Sequence, residues 1–287
     1  MKKFISVILA VVLSFSALFV TAYASDTKTG ALLEEIKSTK SYYVDFGDVF
    51  YEEEGAPFRD VKCYTKVCED ENGKDELKIA ITAKLWFFNV KLIVSDGTAC
   101  VYLPFLSIDL GKITGAENGV LNELYYDYIA PLLNSFDSSF VECMKLKSSG
   151  EKDTEEYGRV YVEEFVPDIK KLLEYADKNG IIDIPEDSEL ADMTEEEMIN
   201  WLKSFGDKGE NVLRMFESNA TFYYNGDNLI AYKVTLYDAA NDNAVLNSED
   251  LMIKRAESIG SNVDDSVFDA PVVFFDITSL ISLLFGV

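Results

Sequence analysis

The sequence predicts an α+β chain built on antiparallel strands, and three observations carry that prediction. Between residues 42 and 105, five segments rich in β-branched and aromatic residues alternate apolar with polar positions, which is the pattern of half-buried strands. Asp96-Gly97 stands between two of these segments as a two-residue hairpin signal. Across residues 167–216 the period switches to helical spacing before strand-like segments return. Strands and helices that come in runs, rather than alternating singly, place helices beside an antiparallel sheet.

The chain opens with Lys2 and Lys3, an apolar stretch over residues 4–20, and Ala22-Tyr23-Ala24. Charged start, apolar core and small-x-small site are the parts of a secretory signal, so residues 1–24 are expected to be a signal peptide. The alternative is an uncleaved anchor, since about 20 apolar residues just span a bilayer. A short helix follows at residues 29–37, with Leu32, Leu33 and Ile36 on one stripe. Strands are expected at residues 42–50, 61–67, 77–83, 86–94 and 98–105, with Asn72-Gly73 as a loop between the second and third.

A type I′ turn at Asp96-Gly97 puts Ser95 opposite Thr98. It pairs Val94 with Ala99, Leu92 with Val101, Val90 with Leu103 and Phe88 with Phe105. Every residue in those four pairs is apolar. The other face carries Ile93 with Cys100, Lys91 with Tyr102 and Asn89 with Pro104. A slip of one residue would destroy the segregation, so the register is specified and one face is meant to be covered.

A helix interrupted near Pro131 is expected at residues 118–133. Strands at residues 140–147 and 157–165 flank a polar loop at 148–156. Residues 167–178 form a helix that stops at Asn179-Gly180. Thr194 and Glu197 make a capping box ahead of Met198, Trp201 and Leu202, and a further helix covers residues 209–216. Strands return at residues 221–224 and 229–237, joined through Asn225-Gly226, and at residues 250–256. The tail, residues 270–287, has a single charge, Asp276. The stretch after Asp276 is too short to span a bilayer, and the tail is expected to close the core as a strand and short helix.

Composition narrows the chemistry. The 287 residues include 26 basic and 51 acidic side chains, a net charge of −25, and no histidine. Without imidazole there is no Ser-His-Asp or Cys-His pair and no His-ligated metal. Such an acidic chain has no electrostatic reason to approach nucleic acid or anionic headgroups unless one face is locally basic, and the sequence has no basic run. Cys63, Cys68, Cys100 and Cys143 permit up to two disulfides, whose pairing is not readable, or plain buried thiols. Their spacing lacks the short paired knuckles of a zinc site. Glu163-Glu164 and Asp264-Asp265 point to opposite sides of an extended chain and make no carboxylate dyad. No catalytic residue, metal or cofactor is therefore expected. With no Pro/Gly/Ser-rich linker, residues 25–287 are expected to be one domain carrying a helical insertion at about 167–216.

Three segments carry a resemblance: Val94-Ser-Asp-Gly-Thr-Ala-Cys-Val-Tyr-Leu-Pro104, Phe222-Tyr-Tyr-Asn-Gly-Asp-Asn-Leu229, and Asp265-Ser-Val-Phe268 near the end. With the order of elements they make the chain resemble the superfamily of the lipoprotein carrier LolA, the LppX-type lipoproteins and the sigma-factor regulator RseB. The helical block is larger than the carriers need, and no lipidation cysteine follows the apolar leader. The resemblance implies an incomplete antiparallel β-barrel, a half-barrel wrapped over helices, with a cavity for acyl chains. The expected function is a secreted, non-catalytic protein that binds a lipid or other hydrophobic ligand on Phe88, Val90, Leu92, Val94, Val101, Leu103 and Phe105, with at most transient membrane association. The alternative is an envelope sensor or protein-interaction module whose acidic surface and helical insertion meet a protein partner.

Overall fold

The computed structural model describes residues 26–54, 57–69, 75–95, 98–109, 143–185, 193–235, 237 and 253–278. The leader, the Asn72-Gly73 and Asp96-Gly97 loops, the helix expected at 118–133, residues 238–252 and the tail beyond residue 278 lie outside the described residues. The architecture is α+β and the strands are mostly antiparallel. Backbone contacts gather the chain into two compact units. The first holds the described residues from Glu34 to Asp109 and from Arg255 onward; the second holds those up to Leu33 and from Cys143 to Lys254. The division falls inside a helix and between two charged residues, so no linker composition marks it.

Helix α1 (Lys28–Thr39) carries that division. The first unit continues with β1 (Ser41–Gly47), α2 (Val49–Glu54), β2 (Phe58–Glu69), β3 (Asp75–Leu85), β4 (Phe88–Ser95), β5 (Thr98–Leu103) and β6 (Leu106–Asp109). It ends with β11 (Ser258–Gly260), a 3₁₀ turn (Asp265–Phe268) and β12 (Phe275–Asp276). Its strand order is β12-β6-β5-β4-β3-β2-β1-β11. All these pairings are antiparallel except β12 with β6, which is parallel.

Partners in register share a face, so Val44, Cys63, Ile81, Leu92 and Val101 line up on one side of this sheet, with Tyr42, Thr65, Ile79, Val94 and Ala99 beside them. Eight of these ten are nearly or fully inaccessible, from Tyr42 and Val44 at one strand to Leu92 and Ala99 at the others. The opposite face is mixed, as expected. There the 3₁₀ turn packs on β3, Lys66 meets Asp265, and Lys91 donates to the Asp269 carbonyl at 2.8 Å.

The second unit has β7 (Met144–Thr154), β8 (Gly158–Pro167), β9 (Asn219–Asn225) and β10 (Asn228–Thr235) in the order β10-β9-β8-β7. Between β8 and β9 come α3 (Ile169–Lys178), α4 (Glu195–Lys203) and α5 (Asp207–Phe216), with α5 packed on α3, α4 and β8. The apolar stripe of each helix is buried: Leu172 and Leu173 on α3, Met198 and Leu202 on α4, Val212 and Met215 on α5. Asp168 caps α3, and Gly180 follows its C-terminus at φ 68°. Thr194 and Glu197 form the reciprocal capping box on α4. At Gly209 a methyl group would stand 1.8 Å from the Leu202 carbonyl oxygen, so glycine there lets α5 approach α4.

Several boundaries differ from expectation, each for a physical reason. The polar stretch read as a loop at 148–156 is mostly strand, because β7 pairs with only one neighbour and an edge strand tolerates polar and charged residues. Residues 49–54 are helix rather than the end of a strand. Of the strand expected at 250–256, the described part is a single bridge, Ile253 with Tyr232. Trp86-Phe87 and Pro104-Phe105 are turns rather than strand, since Leu85 pairs with Phe88 and Leu103 with Leu106.

Candidate functional site

The predicted register around Asp96-Gly97 is the observed one near the turn: Ser95 faces Thr98, Val94 faces Ala99, Ile93 faces Cys100, Leu92 faces Val101 and Lys91 faces Tyr102. The ladder stops there, so the expected pairs Val90 with Leu103 and Phe88 with Phe105 do not form. Pro104 has no N–H to donate, and Phe105 turns the chain into β6 at φ 68°.

From Leu92 the candidate ligand-binding residues become more exposed toward the end that carries the Trp86-Phe87 and Pro104-Phe105 turns. Leu92 is 8% exposed, Val90, Val94, Val101 and Leu103 are half-buried, Phe88 reaches 40% and Phe105 62%. Topology extends that end. β3 and β5 both finish there, the Trp86-Phe87 and Pro104-Phe105 turns cap it, and β12 starts there because it runs parallel to β6. The Phe274 and Phe275 amides both donate to the Phe105 carbonyl at 3.1 Å.

Every large hydrophobic side chain that stands exposed among the described residues belongs to the first unit: Tyr51, Trp86, Phe87, Phe88, Phe105, Val272, Phe274 and Phe275. Phe87 and Phe88 meet in a tilted arrangement with centroids 4.2 Å apart, and Phe105 meets Phe274 at 5.8 Å. The tail residues among them correct an expectation. Val272, at 85% exposure, Phe274 and Phe275 are not part of a closed core, while Thr278 beyond them is buried and accepts from the Asp109 amide.

Trp86 sits at φ 55° and Phe105 at φ 68°. Bulky residues rarely adopt this left-handed backbone, and each such position costs about 1–3 kcal/mol. A sequence scan for Gly, Asn or Pro punctuation misses Trp86-Phe87 for that reason. The available signal was the unbroken aromatic run Trp86-Phe87-Phe88 inside an otherwise alternating pattern.

Behind the aromatic turns sit cations. Arg59 and Lys84 are cross-strand partners next to Phe58 and Leu85. The Arg59 guanidinium lies 3.7 Å from the Tyr51 ring centre. Asp60 accepts from Lys84 at 3.0 Å and stands 3.6 Å from Lys62, which bonds Asp45 at 2.7 Å. The hydrogen bond from Lys84 holds the Asp60 carboxyl below the usual carboxylate range. The bond to Asp45 raises Lys62.

The carboxylate pairs of the sequence fall apart into structural roles. Glu163 is fully buried and accepts from the Lys28 and Thr29 amides at 2.9 and 2.8 Å, which caps the N-terminus of α1. Beside it the Thr29 and Tyr224 hydroxyls meet at 2.8 Å. Glu164 faces the other way, to Ser148 and Lys152. Asp264 caps the 3₁₀ turn and Asp265 meets Lys66. None of the four cysteines is joined in a disulfide, and burial pushes the Cys63 thiol up to about 12. In the second unit an open depression of about 350 Å³ has Lys147, Glu164 and Ser218 in its wall; that lining is too polar for an acyl chain. Scans against protein-family models, curated proteins and solved structures find no match to this chain.

Proposed function

We propose that the chain is an exported, non-catalytic binding protein that holds a lipid or other amphiphile against the apolar face of an incomplete antiparallel barrel wrapped over helices. One observation carries the reading: from Leu92 on β4 and Ala99 on β5, exposure of the apolar residues rises toward the turns that hold the cluster of aromatic side chains. An apolar stripe with one open end lets an acyl chain leave water while its polar head stays solvated. At about 0.8 kcal/mol per buried methylene, a few methylenes outweigh the cost of ordering the chain. The leader supports export, and the resemblance to the LolA, LppX and RseB superfamily supports the ligand class.

Organic extraction and native mass spectrometry of the purified protein test this. The expected result is a co-purifying lipid, together with uptake of a fluorescent fatty acid that falls in Val90→Asp. Absence of both the lipid and the uptake overturns the reading.

A further inference from the structure

The exposed aromatics are tips of three separate chain segments at one end of the first unit: the β3–β4 turn, the β5–β6 turn and the strand entering β12. In a chain with 51 acidic residues, Trp86-Phe87-Phe88, Pro104-Phe105-Leu106 and Pro271-Val272-Val273-Phe274-Phe275 contain no charge. The two turns are closed by cross-strand pairs, Leu85 with Phe88 and Leu103 with Leu106. Their tips can thus leave water with few unpaired backbone groups.

Charge is arranged behind the tips. Arg59 and Lys84 face each other in register, and like charges placed opposite one another destabilise a sheet. Asp60, bonded to Lys84, offsets only part of this. Lys84 lies two residues before Trp86 on β3, roughly 7 Å along the strand at 3.3 Å per residue. Aromatic rings in front and cations several ångströms behind match the order of acyl boundary and phosphate in a lipid surface. Interfacial segments bury their apolar side chains about 5–10 Å into that boundary.

We propose that this end of the first unit docks on the surface of a phospholipid bilayer, with Trp86, Phe87, Phe105 and Phe274 at the headgroup–acyl boundary and Arg59 and Lys84 at phosphate depth. The left-handed backbone at Trp86 and Phe105 is then the cost of aiming two rings outward at turns where glycine or asparagine would be less strained. The docking rests on the proposed ligand reading in one respect: the end that meets the bilayer is the open end of the apolar stripe, so the amphiphile need not cross water.

The test uses the full chain with phosphatidylcholine vesicles, plain or brominated on the acyl chains near the headgroup. The two tryptophans are Trp86 and Trp201, the latter in the second unit on α4. The expected result is emission that falls by about half in brominated vesicles, as for a ring at the interface. Trp86→Phe, which keeps an aromatic tip, should abolish that quenching, and Phe105→Ser with Phe274→Ser should weaken it. Equal emission in plain and brominated vesicles overturns the docking, including when the protein sediments with vesicles through another segment. Fatty-acid uptake measured without vesicles separates the two claims. Uptake with no quenching rejects the docking alone, and quenching with no uptake rejects the ligand reading alone.

Discussion

The two units use left-handed backbone in opposite ways. In the second unit the residues at positive φ are glycines: Gly150, Gly158, Gly180, Gly206 and Gly226. In the first unit Gly47 is joined by Lys40, Asp60, Trp86 and Phe105, all four non-glycine cases among the described residues. The exposed large hydrophobics divide the same way, all in the first unit. The second unit follows turn and capping chemistry closely, and its buried carboxylate is satisfied by two backbone amides. The first unit departs from that chemistry at four non-glycine positions, two of which, Trp86 and Phe105, show aromatic rings to solvent. At Trp86 and Phe105 left-handed backbone coincides with exposed aromatic surface, as the proposed docking requires.

The comparison can be broken first at Glu163. Glu163→Ala leaves the Lys28 and Thr29 amides buried without their acceptor, and urea denaturation should show a loss of about 3 kcal/mol. A loss near zero would mean the second unit does not depend on this cap. Gly209→Ala comes next: the added methyl meets the Leu202 carbonyl, and a lowered melting temperature corresponding to about 2 kcal/mol is expected.

In the first unit the sign reverses. Trp86→Gly and Phe105→Gly relieve left-handed strain and should leave stability unchanged or raise it by up to about 1 kcal/mol, while vesicle engagement falls. A clear loss of stability in either would make that residue a structural part of the fold and sharpen the contrast differently.

The smallest effect is electrostatic. Hydrogen bonds from Lys152 and Ser148 hold the Glu164 carboxyl below the usual glutamate range. Its contribution is therefore present above the ordinary glutamate value and is lost as pH falls through the lowered one. Glu164→Gln should flatten that acid limb of the stability profile and change little near neutral pH.

Legibility in the sequence followed the range of the forces involved. The Asp96-Gly97 signal with its flanking alternation was enough to specify five cross-strand pairs, from Ser95 with Thr98 to Lys91 with Tyr102. The Thr194–Glu197 box and the Asn179-Gly180 stop were equally readable, since each acts within a single helical turn. The candidate site was half legible. Of its four predicted apolar pairs, Val94 with Ala99 and Leu92 with Val101 form while the two nearer the turns do not, and its exposed end could not be read. Trp86-Phe87 carries no turn residue, and the tail residues Val272, Phe274 and Phe275 look like core in any scan of hydropathy.

Local periodicity and turn chemistry are written in neighbouring residues, and they determine the α+β class, the hairpin register and the helix caps. Long-range partners are not, because nothing near Glu163 announces that it will cap a helix 135 residues earlier in the chain. Nor does anything near Phe275 announce a parallel pairing with Leu106. Which apolar residues end inside and which at an open end is settled by how strand ends meet in space. For that reason the exposed aromatic end of the first unit becomes visible only once the strands are in place.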